Sequence, residues 1–382
     1  MKAIIVGAGI GGLCAAISLK QAGFEVEIFE REPEIKLVGA GLSLWENGTK
    51  GLELLGLGDS LKEIAVPNGG KICDWQGKPF SSGNEESIVH MVDVPVMGVH
   101  RADLHALLMK EIEEKELHLG SEFICFEQTS DGVTAYFKDG SIVKGSILIG
   151  ADGVKSRVRE QLFPQIKVRY AGYLAWRGVA YLDHSNLKHG ENFEAWGFGQ
   201  RFGILRLSQN RIYWFATINS PQDLRSEINR HPSFLLDRFQ GWLSPVEELI
   251  QMTKDHDLFC HAIYDMDPMR RWGFGRVTLL GDAAHAMTPN LGQGANQAIE
   301  DALVLSKMIQ ENDQLDQALL QYENKRIQRT SKLILQARQV GRVGQWSHPF
   351  VCRVRDLIFR KTPNSVLKKQ FSFIKEDFLN SN

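Results

Sequence analysis

The amino-acid sequence predicts an α/β fold: a discontinuous strand–helix–strand framework carrying an inserted, mainly antiparallel β-sheet, with helices at the C-terminal end. Three observations support this. The chain up to Glu30 alternates strand, glycine turn, helix and strand. The stretch from Arg169 to Tyr264 is rich in β-branched and aromatic residues. An apolar run at Val277-Thr278-Leu279-Leu280 is then followed by a second glycine-rich loop. The chain has 382 residues, 43% hydrophobic and 24% charged, so two or three compact globular units are expected.

In order, Lys2 to Val6 is a short apolar run suited to a strand buried on both faces. Gly7 to Gly12 forms a turn, Leu13 to Ala22 a helix ended by Gly23, and Phe24 to Phe29 a second strand. Arg101 to Glu114 reads as a helix with Leu104, Leu107, Leu108 and Ile112 on one stripe. Tyr173 to Leu182, Phe202 to Leu207 and Arg211 to Ile218 read as strands of the inserted sheet. Val277 to Leu280 returns to the buried-strand pattern. Beyond Leu315 the chain is helical, with Pro349 and Pro363 as breaks. Residues 1–70, 101–165 and 271–345 are therefore assigned to one discontinuous domain, 71–100 and 166–270 to a second, substrate-binding one, and 346–382 to a C-terminal helical segment.

Lys and Arg total 44 against 46 Asp and Glu, a net charge of −2. This balance supplies no overall field for nucleic acid or anionic membrane. The five cysteines form no C-x-x-C pair, which points to reduced thiols and a cytoplasmic location. The apolar run at the start is too short for a signal peptide. No run reaches the roughly 18 residues of a membrane span, so no stable membrane insertion is expected. The stretch from Pro349 to Leu379 mixes apolar and basic residues. Packing across both domains is its first reading, and attachment to a membrane surface its second.

Two segments carry site chemistry. Gly7-Ala8-Gly9-Ile10-Gly11-Gly12 fits G-x-G-x-x-G between a strand and a helix. Its glycines permit a tight turn, close approach of a pyrophosphate and close helix–strand packing, while the helix N-terminus supplies N–H donors. Glu30 ends the second strand, where a carboxylate accepts from ribose hydroxyls. An acid there disfavours a 2′-phosphate, so FAD or NAD(H) fits this position better than NADPH. The second segment runs from Gly281 and Asp282 to Asn296. An aspartate after a buried strand accepts from sugar-like hydroxyls. The glycines at Gly292 and Gly294 bring backbone against a planar ring, and the helix start behind them favours negative charge on it.

Together these segments resemble those of the single-component flavoprotein aromatic hydroxylases, the FAD monooxygenases with the p-hydroxybenzoate hydroxylase fold. The run Gly150-Ala151-Asp152-Gly153-Val154-Lys155-Ser156-Arg157-Val158-Arg159 resembles that family's third signature. The likeness covers nearly the whole chain and implies a Rossmann-like FAD-binding domain. It implies that Gly7, Gly9, Gly11, Gly12 and Glu30 hold the adenosine diphosphate half of FAD, with Arg31 beside the ribose and Arg101 near the pyrophosphate. Asp282 would hold the ribityl–pyrophosphate region. Gly292, Gln293, Gly294, Ala295 and Asn296 would line the isoalloxazine, with Ser43 in the Gly39 to Leu44 loop beside it. Asp152 is divided between touching cofactor and holding its loop together.

Within the family the nearest likeness is to FAD-dependent urate hydroxylases. Arg201 and Tyr213 match their substrate-binding arginine and tyrosine. Each also has a plainer reading, Arg201 as a solvent-exposed hairpin cap and Tyr213 as sheet packing. Asn290 stands where those enzymes carry an aspartate, and an amide cannot accept a proton as a carboxylate does. Arg177 reads equally as a contact for an aromatic acid or as an inter-domain salt bridge. His285 is expected to pack beneath its loop. Of Tyr173, Trp176, Phe193, Trp196, Trp214 and Phe215, some would line a pocket and others fill the core, depending on sidedness.

The resemblance implies that NADH or NADPH transiently reduces FAD. Dioxygen then gives a C4a-hydroperoxyflavin that hydroxylates a planar aromatic or N-heterocyclic small molecule. The same motifs leave open an epoxidase, a tetracycline-type antibiotic-inactivating hydroxylase, a flavin oxidase or reductase that inserts no oxygen, and a non-enzymatic flavoprotein. Histidine spacings suit no zinc site, so no metal is expected, and no nucleic-acid partner.

Overall fold

The computed structural model describes residues 1–35, 40–80, 96–181, 192–220, 232–363, 366, 374 and 377–380. Gly39, Leu182 and most of the stretch after Pro363 lie outside the described residues. A five-stranded parallel sheet forms the framework, in the order Val277–Leu279, Ile147–Gly150, Lys2–Val6, Glu25–Glu30, Leu117–Leu119. The Lys2–Val6 strand is central because Ala3, Ile4 and Ile5 are wholly buried, as a strand covered on both faces requires. The Ile10–Gln21 helix packs on the Gly294–Gln310 helix, where the Ser18 hydroxyl donates to the Ala302 carbonyl at 3.0 Å and the Ser306 hydroxyl to the Ser18 carbonyl at 2.8 Å. That helix starts before Leu13 because the glycine turn is itself its first turn. The Arg101–Met109 helix is shorter than its periodicity predicts, and Ile112 packs on the core from beyond its end.

The Val96–His100 strand, grouped by sequence with residues 71–100 of the second domain, pairs with Gly41–Leu44 and Ala65–Asn68 of the first stretch of chain. A three-stranded antiparallel sheet of Phe123–Gln128, Val133–Phe137 and Ile142–Gly145 was not anticipated.

The inserted sheet has six strands, in the order Leu258–Met266, Val168–Tyr181, Arg211–Asn219, Gln200–Arg206, Asn192–Trp196, Gly70–Asp74. Its pairs are antiparallel except the last, which is parallel. Side chains alternate between faces, and the register assigns each. Leu174, Trp176, Phe193, Phe202, Trp214 and Ala216 form a core against Leu235 and Phe239 of the Pro232–Phe239 helix and Val246, Leu249 and Ile250 of the Val246–Met252 helix. Tyr173, Arg177, Arg201, Tyr213 and Phe215 project from the opposite face. Trp176, Phe193 and Trp214 are therefore core. Trp196 shares the face of Arg201, with which it is in register.

The Leu315–Gly344 helix links the parallel sheet to the inserted sheet. The Tyr322 hydroxyl donates to the Leu279 carbonyl at 3.0 Å in the parallel sheet. Just past its other end, Gln345 Oε1 accepts from the Thr217 hydroxyl of the inserted sheet at 3.0 Å. Pro349 opens the next helix, Pro349–Lys361, at a position where a missing N–H costs nothing.

Candidate functional site

The glycine turn is built by exclusion. A side chain at Gly12 would overlap the Gly7 carbonyl, whereas one at Gly9 would meet nothing within 4 Å. The Ile10–Gln21 helix has no side-chain cap at Gly9, so its N-terminal N–H groups face that open space. An uncapped helix end beside an open glycine fits a diphosphate. Glu30 stands at the rim: its Oε2 accepts from the Ala8 N–H at 2.9 Å and its Oε1 from the Glu32 N–H at 3.0 Å. These two bonds leave lone pairs on the carboxylate for further donors. Arg31 is exposed, 3.5 Å from the Glu32 carboxylate.

Asp282 begins the short Asp282–His285 helix and is exposed where the crevice opens. Crowding by protein raises its carboxyl above the ordinary range, opposed by the nearby charges of His285, Arg101, Arg159 and Arg177. Burial and the neighbouring Arg177 pull the Arg101 guanidinium down. The third motif is largely scaffolding for this corner. Asp152 Oδ2 accepts from the Arg157 and Val158 N–H groups at 2.7 and 3.2 Å, and Arg159 donates to the Ala283 and Val154 carbonyls at 2.9 and 2.6 Å.

Asn296 is fully buried and ties the Gly41–Leu44 strand, which the sequence suggested as part of a loop, to the Gly292 turn. Its Oδ1 accepts from the Trp45 N–H at 3.0 Å, and its Nδ2 donates to the Ser43 and Gly292 carbonyls at 3.0 and 2.8 Å. Ser43 is thereby held against the Gly292 turn. Gln293 turns its side chain inward, its Oε1 accepting from Asn47 and Gln297 at 3.0 Å each, while its Nε2 finds no partner among the described residues. Gly294 and Ala295 are half-buried at the helix start.

Beneath this loop lies a charge network that sequence reasoning missed. Glu300 and Asp301 are fully buried. Arg326 donates to Asp301 at 2.6 Å and to Glu300 at 2.5 Å, Arg329 reaches Glu300 at 2.8 Å, and His285 Nε2 lies 2.5 Å from Asp301. Burial would raise the Asp301 carboxyl, but His285 and Arg326 bring it down to about 2. His285 is 1% exposed, so it packs beneath the loop. The missed signal was the tandem acid pair on an otherwise apolar helix face.

The inserted sheet meets the crevice through Tyr213. A side chain at Gly41 would overlap the Tyr213 ring, and Ala40, Val179 and Leu207 complete the contact. Burial raises the Tyr213 phenol, and Arg177 lowers it. The reading of Arg201 as a solvent-exposed hairpin cap is overturned, since it is 2% exposed. Its Nε donates to Gln345 at 3.1 Å, its Nη1 to Glu194 at 3.0 Å and its Nη2 to Asn290. Asn290 Nδ2 in turn donates to Thr288 at 2.8 Å, the Ala337 carbonyl at 3.0 Å and the Tyr173 hydroxyl at 3.1 Å. Arg201 and Asn290 thus come together, with Tyr213 farther along the same sheet face.

Residues 1–337 match the FAD binding domain family. The chain is 36% identical over 367 residues to the aurachin C monooxygenase/isomerase of Stigmatella aurantiaca, covering 94% of each chain. It is 36% identical over 351 residues, 89% of each chain, to a FAD-dependent urate hydroxylase of Klebsiella pneumoniae. The chain belongs to the FAD-dependent aromatic hydroxylases. The solved structure of Klebsiella pneumoniae HpxO complexed with FAD and uric acid superimposes with a TM-score of 0.90 at 31% identity, covering 98% of this chain and 96% of that one. This hydroxylase is a flavoprotein monooxygenase, and the open space at Gly9, the Glu30 rim and the exposed Asp282 suit FAD.

Proposed function

We propose that the enzyme uses NAD(P)H and dioxygen to hydroxylate a planar aromatic or N-heterocyclic small molecule held between the crevice and the Tyr213 face of the inserted sheet. The observation that carries this reading is the sidedness of that sheet. Its strand register turns Arg177, Tyr213 and Phe215 away from the core, and Gly41 of the crevice touches Tyr213. Relatives named for urate, 6-hydroxynicotinate and a 4(1H)-quinolone support a planar ring as substrate. FAD held there would supply a reducible ring that activates dioxygen, one oxygen atom going to an electron-rich carbon of the substrate and the other leaving as water.

The protein's part is placement and electrostatics. The start of the Gly294–Gln310 helix favours negative charge beside it. The apolar Val179, Tyr213 and Phe215 surface excludes water from the reacting edge. Tyr213 presents a hydroxyl to ring oxygens or nitrogens. Arg201 acts through Asn290 and Gln345 as a positioning residue, since its guanidinium donates to protein at three nitrogens.

The test is NAD(P)H oxidation by FAD-loaded enzyme with urate, hydroxypyridine carboxylates, quinolones and phenolic acids, run under isotopically labelled dioxygen. Stimulated turnover with label in the product is expected. Hydrogen peroxide equal to the NAD(P)H consumed, with no labelled product from any ring, would instead make the protein an oxidase.

A further inference from the structure

Among the described residues, the Pro349–Lys361 helix contacts the body of the protein on one side. Cys352 and Arg355 are 0% and 2% exposed, and Phe359 lies 5.7 Å from the Phe80 ring and 5.5 Å from that of Trp196. The other side is apolar and bare: Phe350 is 69% exposed, Val354 41%, Leu357 51% and Ile358 59%. At 3.6 residues per turn these spacings fall on one stripe, and Val351 flanks it. Trp346, 40% exposed, immediately precedes the helix. A solvent-facing helix side ordinarily carries polar residues, and a contiguous apolar surface of this kind marks an interaction site.

Charge selects the occupant. Arg353 and Lys361 are exposed on the stripe side, while Arg360 is held by Asp74 at 2.5 Å. The one acid of the helix, Asp356, is paired with Arg355 at 2.8 Å. The outward face is thus apolar and cationic with no free acid, although the whole chain is near neutral. Two copies meeting through this stripe about a two-fold axis would bring cations against cations with nothing to offset them. An anionic lipid surface matches both features. No described helix is long and apolar enough to cross a membrane, so attachment would be peripheral.

We infer that this helix seats the enzyme on anionic membrane surfaces. Phe350, Val354, Leu357 and Ile358 enter the headgroup–acyl boundary, and Arg353 and Lys361 lie among the headgroups. The inference is independent of the reaction proposed above.

The experiment is flotation of full-length, FAD-loaded protein with vesicles of phosphatidylcholine, with and without phosphatidylglycerol, at low and high salt. The protein should float with the anionic vesicles and lose most of that recovery in high salt. The R353E/K361E and F350S/L357S variants should each lower the bound fraction on the order of tenfold, with flavin content and melting temperature unchanged because all four residues are exposed. Failure of the parent protein to float would overturn the inference, as would equal recovery on neutral vesicles or undiminished flotation of both variants. A stable dimer by light scattering that F350S/L357S converts to monomer would overturn it in favour of a second copy.

Discussion

The Arg201 guanidinium donates to the Asn290 side-chain oxygen across the junction between the inserted sheet and the Thr288-Pro289 turn. Asn290 simultaneously donates to the Ala337 carbonyl at 3.0 Å, so one amide joins the sheet, the turn and the Leu315–Gly344 helix. A carboxylate could accept from Arg201 but could not donate to Ala337 or Thr288. The Asn290→Asp variant should therefore lose about 1–3 kcal/mol of stability and gain no urate-stimulated NAD(P)H oxidation. Urea unfolding and a urate assay decide it; an intact protein that begins to turn over urate would identify Asn290 as a substrate selector instead.

Arg201→Gln should leave FAD bound while loosening substrate placement. The expected outcome is a rise in peroxide released per NAD(P)H consumed, with unchanged flavin content, measured once a ring substrate has been found. Coupling equal to that of the parent would reduce Arg201 to a purely structural clamp.

Gly12→Ala should abolish tight FAD binding, because the added methyl overlaps the Gly7 carbonyl and must displace the turn. Apoprotein recovered after purification, retaining native secondary structure by circular dichroism, is the expected result. Glu30→Ala should weaken binding by about 1–3 kcal/mol, as loss of a charged hydrogen bond does; flavin fluorescence titration measures both.

Asp301→Asn removes one charge from a buried set and leaves Arg326 undercompensated. A loss of about 3–5 kcal/mol is expected, read as a lower denaturant midpoint with an unchanged slope.

The same carboxylate predicts the acid response. Asp301 is held at about 2, below the ~3.9 of an unfolded aspartate. Its stabilising contribution is therefore complete above about pH 4 and lost as pH falls towards about 2. Glu300, held down by Arg326 and Arg329 against the effect of burial, adds to the loss in the same direction. Denaturant midpoints measured from neutral pH into acid should fall steeply in that window, and less steeply in the Asp301→Asn variant.

The glycine turn, the buried strands and the strand segments of the inserted sheet could be read in the sequence because each rests on local pattern: period, turn chemistry and apolar runs. What could not be read depended on pairing. The partner of Val96–His100 is decided by the distant Gly41–Leu44 strand. The faces of Trp176 and Tyr173 follow from a register with Arg211–Asn219 that no single strand reveals. Arg201 could be read either as a substrate contact or as a surface charge, because its partners Glu194, Asn290 and Gln345 come from three separate segments.

The alternation along the inserted strands from Tyr173 onward also bears on how such an enzyme changes what it acts on. At Trp176 and Trp214 the chain is locked into a packed interior, while Arg177 and Tyr213, their immediate neighbours, belong to the opposite surface. New chemistry can be explored at every other position while the interleaved residues keep the scaffold intact, so an ancestral hydroxylase could acquire new rings one substitution at a time without passing through an unfolded intermediate.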